Sequence, residues 1–182
     1  MKNTSFLFFS PGFFLLLIQL MGCQSAPQRP DANSASADYL LLTEDTSGAY
    51  GYRNQLGELL IPFGKYAMCL TDTFRTYALV LGEQGFVVID RQEQVQYQVF
   101  NYDNGPDYPS EGLFRIVQNG KIGYADAGTY AVVIQPQFDC AFPFENGVAR
   151  VSNNCKTEQT GEYSTWVSDA WKEIDKQGNA TK

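Results

Sequence analysis

Cysteine and carboxylate are the reactive side chains this chain can offer, because its 182 residues include no histidine. Ser-His-Asp and Cys-His catalysis, most catalytic zinc sites and the usual neutral-pH base are thereby excluded. Of the four cysteines, Cys140 and Cys155 flank a segment with Asn146-Gly147 at its centre, the signal of a tight hairpin. A disulfide is expected between them, closing a short loop and contributing about 3 kcal/mol. Pairing across a two-residue turn sets Cys140 opposite Asn153, so the bridge needs a bulge or slack over 152–154. Cys69 is expected to be a buried free thiol. Asn101, Asp103, Asn104 and Asp107 form an oxygen-rich loop around Gly105. Calcium takes such oxygens, but the spacing lacks the 1-3-5 order and terminal Glu of an EF-hand, and turn chemistry explains the same residues. No metal and no cofactor is expected. Among 20 acidic residues no Asp/Glu pair stands out for general acid and base work.

Cys23 belongs to a different chemistry. Lys2 is followed by an almost wholly apolar run, Phe6 to Met21, interrupted at Ser10-Pro11-Gly12 and Gln19, with no acid before Asp31. That is the pattern of a secretory signal peptide, expected over residues 1–22, and not of a stable span. Leu20-Met21-Gly22-Cys23 resembles the bacterial lipobox. The resemblance implies that Cys23 is diacylated, becomes the mature N-terminus and anchors the chain in a membrane. Gln24 in place of Asp implies delivery to the outer membrane of a Gram-negative envelope. Residues 23–38 then read as the lipidated Cys and a disordered tether, since no large apolar residue occurs from Gln24 to Asp38.

The remaining residues, 39–182, must hold whatever site exists, and they repeat. Tyr66, Tyr102 and Phe138 are spaced by 36, as are Asn54, Asp90 and Asp126, and Tyr52, Val88 and Tyr124. Copies run over roughly 49–84, 85–120 and 121–155, with a degenerate one over 156–182 that keeps Asp175-x-x-Gly178. Asn54, Asp90 and Asp126 read as repeat turn positions, because Asp or Asn with a nearby Gly supplies tight-turn geometry. Stretches such as Phe86-Val87-Val88-Ile89 are β-branched and aromatic. No segment has a convincing helical period, although Ser168 to Asp175 is compatible with one turn. Prolines 62, 109, 136 and 143 are expected near strand ends. The fold class is all-β: an array of antiparallel hairpins, or meander, in which each unit mainly touches its neighbours. Tyr66, Tyr102 and Phe138 are expected in the core.

Segments 102–108, 111–116, 119–126 and 136–139 are similar to bacterial WG repeats, also called KWG repeats. The family's Trp is Ile122 here, and Val87 takes the place of the Gly in the middle copy. The resemblance implies a repetitive β-rich module without assigned catalytic residues, used for interaction.

A net charge of −7 with no basic cluster argues against nucleic acid as a partner. The expected function is therefore non-catalytic: an envelope lipoprotein, anchored by lipid, whose repeats bind a protein or glycan or play a structural role. The alternative is a carboxylate-type hydrolase on the same β scaffold.

Overall fold

The computed structural model describes residues 38–181. The expected signal peptide, the expected lipidation site Cys23 and the expected tether lie outside the described residues, save for Asp38. Within them the protein is all-β, and every strand pairing is antiparallel. The stretch 168–175 forms no helical turn; bends at its start lead into strand Lys172–Asp175. Ile174 there is 1% exposed, so burial of one strand face decides its conformation.

The repeat is a three-stranded meander. Unit I comprises Leu40–Glu44, Tyr50–Arg53 and Leu59–Ile61. Unit II comprises Tyr77–Gly82, Gly85–Asp90 and Val95–Val99. Unit III comprises Leu113–Gln118, Lys121–Asp126 and Val132–Phe138. Unit IV keeps only Val148–Ser152, Lys172–Asp175 and a single bridge, Ile174 to Ala180. Equivalent pairs are Leu42–Tyr52, Leu79–Val88, Arg115–Tyr124 and Arg150–Glu173. The first strand of each unit lies before the turn, so segments such as 49–84 join two strands of one meander to the first of the next.

Asn54, Asp90 and Asp126 each begin the turn from second to third strand. The Oδ1 of Asn54 accepts the N–H groups of Leu56 and Glu58 at 3.0 and 2.9 Å. Asp90 does the same for Gln92 and Gln94, both at 2.9 Å. Asp175 repeats it in unit IV for Gln177 and Asn179. The turn at Asp126 is one residue longer and takes Gly128 and Thr129. A left-handed residue closes each turn: Gly57, Glu93, Tyr130 and Gly178. The Thr129 hydroxyl and N–H hold the Asp126 carboxyl below its usual 3.8, and Asn179 does so for Asp175. Depressed carboxyls contribute stability that is present above the unfolded value and lost as pH falls through the lower folded one. Asp126→Asn with Asp175→Asn should therefore flatten the acid limb of the melting profile below about pH 4. Asn54 shows that the amide fits this slot. An unchanged acid limb would contradict the assignment.

The core sits at the seams between units. Tyr52, Phe74 and Val80 join unit I to unit II; Val88, Tyr97 and Ile116 join II to III; Tyr124, Phe138, Phe144 and Ile174 join III to IV. A latch recurs at the first and last seams. The Tyr52 hydroxyl donates to the Thr71 carbonyl at 2.8 Å and its ring meets Phe74 edge-on at 5.4 Å. The Tyr124 hydroxyl donates to the Phe142 carbonyl at 2.6 Å, with Phe144 at 4.8 Å. Burial raises both phenol pKa values.

Two of the recurring aromatics are not core residues. Phe138 is 1% exposed, but Tyr66 is half-buried and Tyr102 is 53% exposed. The cause is a displaced loop. Leu70, Phe100 and Phe142 are equivalent, since their N–H groups donate to Leu79, Arg115 and Arg150 carbonyls. The chain takes 16 residues to reach them in units I and III (54 to 70, 126 to 142) but 10 in unit II (90 to 100). The missing residues reappear directly afterwards as the small hairpin 101–106, where Tyr102 pairs with Gly105. The period of 36 survives while the backbone around Tyr102 has changed places.

Val87 follows from the same shift. In units I and III the third strand crowds the WG-position glycine: a Cβ on Gly51 would lie 2.7 Å from the Ile61 carbonyl, and one on Gly123 2.4 Å from that of Ile134. In unit II the third strand shifts register only between Val88 and Ile89; past that point it stays in step, pairs Val87 with Gln98 and continues to pair Val99 with Ile116 of unit III. Space for a side chain exists there. Pro136 likewise falls inside a strand, not at its end; that strand is the outermost of the seven-stranded sheet, where a missing N–H is tolerated.

Candidate functional site

Unit IV carries a second departure from the repeat. Units II and III join their first two strands by tight turns. Between the corresponding strands of unit IV the chain inserts a hairpin, Lys156–Thr160 with Tyr163–Val167. Its neck is closed by side chains. Ser168 Oγ donates to the Asn154 carbonyl at 2.6 Å and lies 2.8 Å from Ser152 Oγ.

The disulfide pins the same neck. Cys140 and Cys155 are bonded, with Cα atoms 6.0 Å apart, and Cys69 is buried and free. Burial raises the Cys69 thiol pKa. Cys140 stands opposite Ser152, not Asn153. The Glu145–Val148 bridge and the Ala141–Val151 pair differ in register by one residue, so a bulge within 142–144 absorbs the offset. The turn at 153–154 then brings Cys155 back over Cys140. Cys140→Ser with Cys155→Ser should lower stability by about 3 kcal/mol in urea, given the separation of 15 residues. Equal midpoints for oxidised wild type and the double variant would show that the bridge constrains nothing.

The two inserted hairpins, 101–106 and 156–167, converge on one cleft of about 710 Å³. Tyr102 and Tyr108 stand on one side, 53% and 70% exposed. Trp166 of the inserted hairpin lies on the other. Its ring meets Phe100 at 5.7 Å and Phe142 at 5.5 Å, both edge-on. Phe142 continues the stack to Trp171 at 5.4 Å, and Arg150 lies over both rings at 4.5 and 4.9 Å. Such edge-on and cation–π contacts contribute roughly 0.5–1.5 kcal/mol each, enough to hold a hairpin that shares no sheet with the array.

Arg115 forms the floor. Its guanidinium lies 4.2 Å below the Phe100 ring centroid. Nε and Nη2 donate to the two oxygens of Asp107 at 3.0 and 2.5 Å, and Nη1 donates to the Ala141 carbonyl at 3.2 Å. Asp107 also accepts the Arg115 N–H at 2.8 Å. In the preceding repeat Thr71 does the same capping, accepting the Leu79 N–H at 2.9 Å. Both carboxylate oxygens of Asp107 are thus engaged by Arg115. Among the described residues no group of three or more Cys, Asp or Glu side chains is placed to hold a metal ion. Asn54, Asp90 and Asp126 lie in their separate turns and are not brought together with the cleft.

A model of the WG containing repeat matches residues 123–156, which span most of unit III and the first strand of unit IV. The chain, all-β over its described residues, contains a WG repeat. No match is found among curated proteins or among solved structures.

Proposed function

We propose that this chain is a membrane-anchored envelope lipoprotein whose repeat domain is a non-catalytic binding module for a protein or glycan. The cleft between the inserted hairpins is its binding surface. One observation carries the reading: the two places where the backbone leaves the repeat, far apart in sequence, face each other across one aromatic-lined cleft. A repeat array is held by its turns and seams; Tyr102, with the Arg115 guanidinium 5.7 Å from its ring centroid, and Tyr108 still leave much of their rings exposed in the cleft, which suits a ligand. The engagement of Asp107 by Arg115, and of the turn acids by backbone N–H groups, supports a non-catalytic role. The lipobox-like 20–23 segment supports the anchor and an outer-membrane location.

Two experiments test this. Cys23→Ala should release the protein from membranes, whereas the wild type fractionates with them; a variant that stays wholly membrane-bound with an uncleaved leader refutes the anchor. The wild-type chain should retain an envelope component that Tyr102→Ala with Tyr108→Ala does not. Equal retention by both moves the binding surface elsewhere.

A further inference from the structure

Deepening that reading of the cleft, and resting on it, we infer that its ligand is a neutral oligosaccharide. Among the described residues Arg115 is the only basic one lining the cleft, and each guanidinium nitrogen already donates to Asp107 or Ala141. Two of its five N–H groups remain, on a side chain that is 5% exposed, so it offers little to a carboxylate, sulfate or phosphate. The other charged residues there are Asp103 and Asp107, the latter paired with Arg115, and the whole chain carries −7. An anionic polymer meets repulsion and little to offset it.

Shape and lining point the same way. The cleft is of the size that holds a small organic ligand, and it is open at the surface. Tyr102 and Tyr108 offer aromatic rings to solvent, and such rings stack on the apolar C–H faces of sugars. Beside them Asn101, Thr157, Ser164 and Thr165 are exposed, with side chains that make no hydrogen bond to another described residue. Three of these four are hydroxyls, which donate and accept as sugar hydroxyls do. A proline-rich peptide also lies on aromatic rings, but it offers only carbonyl acceptors and has no use for this mixture.

The test uses the full chain purified in detergent, read by tryptophan fluorescence. Both tryptophans of the chain, Trp166 and Trp171, stack on Phe142 beside the cleft, so emission reports on this region. The probes are chitotetraose, cellotetraose and maltotetraose, a sulfated tetrasaccharide, and a ten-residue polyproline peptide. At least one neutral tetrasaccharide should shift the emission saturably. Tyr102→Ala and Tyr108→Ala should each weaken it about fivefold to tenfold, with unchanged melting temperatures. Preference for the sulfated sugar, or saturable binding of polyproline alone, overturns the ligand class but leaves a binding module. A neutral sugar whose affinity neither variant changes overturns the site. If no probe shifts the emission, the ligand class falls. If, in addition, envelope capture is the same for wild type and the double tyrosine variant, the binding reading falls with it.

Discussion

Asp107→Ala should cost about 3–5 kcal/mol of folding stability, read as a shift of the urea midpoint. The side chains of Asp107 and Arg115 are 3% and 5% exposed, so the substitution leaves a guanidinium in the interior with one carbonyl for company. It also frees the Arg115 N–H that the carboxylate capped. The junction between units I and II shows how the same place is built without charge, with Thr71 capping Leu79. Asp107→Thr combined with Arg115→Leu copies that arrangement and should return the protein to within about 2 kcal/mol of wild type, because a buried ion pair and a packed apolar substitute are often close in energy. A double variant no more stable than the single one would show that the pair is required by its surroundings. A single variant that loses under about 1 kcal/mol would show that water reaches the guanidinium.

Gly123→Ala should be nearly as damaging, about 3 kcal/mol or more. The added Cβ would meet the Ile134 carbonyl at 2.4 Å, the Pro136 nitrogen at 2.6 Å and the Gln135 carbonyl carbon at 2.8 Å, all backbone atoms. Relief requires moving strand Val132–Phe138, which holds Phe138 and Ile134 in the core. Gly51→Ala meets the same obstacle at 2.7 Å. Gly82→Ala is the control: its nearest neighbour is the Tyr66 ring at 3.8 Å, so its melting temperature should stay within a few degrees of wild type. Similar losses at all three positions would mean that generic strand effects, and not the close crossing, govern the cost.

The parts of the fold that are legible in the sequence are those with local causes. Turn residues with left-handed partners, β-branched runs and a 36-residue spacing announce the meander, and Asn146-Gly147 between two cysteines announces the bridged hairpin. The register expected for that hairpin is one residue off, because a bulge under Phe142 and Phe144 follows from packing and leaves no local mark. Tyr102 misleads for a subtler reason: a loop that moves from one side of a strand to the other without changing length keeps every column aligned. The signal that exposes it is Val87, too large for the crowding seen at Gly51 and Gly123. The stretch from Cys155 to Trp166 breaks the repeat; Gly161 between two alternating runs is its hairpin signal. The cleft itself is not legible. Tyr102, Tyr108, Phe142 and Trp166 share no period, and only the convergence of two insertions unites them.

The displaced hairpin also makes the units unequal partners in exchange. Segments 91–107 and 127–143 are of equal length and start and end at equivalent points, so either could replace the other without shifting anything downstream. The exchange is not symmetric. Unit III, receiving the linker of 91–107, would meet no backbone clash at Gly123, but it would give up Cys140 of the disulfide and the core residues Ile134, Phe138 and Ala141. Unit II, receiving the looped linker of 127–143, would drive its third strand into Val87. The backbone obstacle therefore runs in one direction: a glycine has room for either path of the third strand, whereas removal of the Tyr102 hairpin from unit II demands a compensating Val87→Gly.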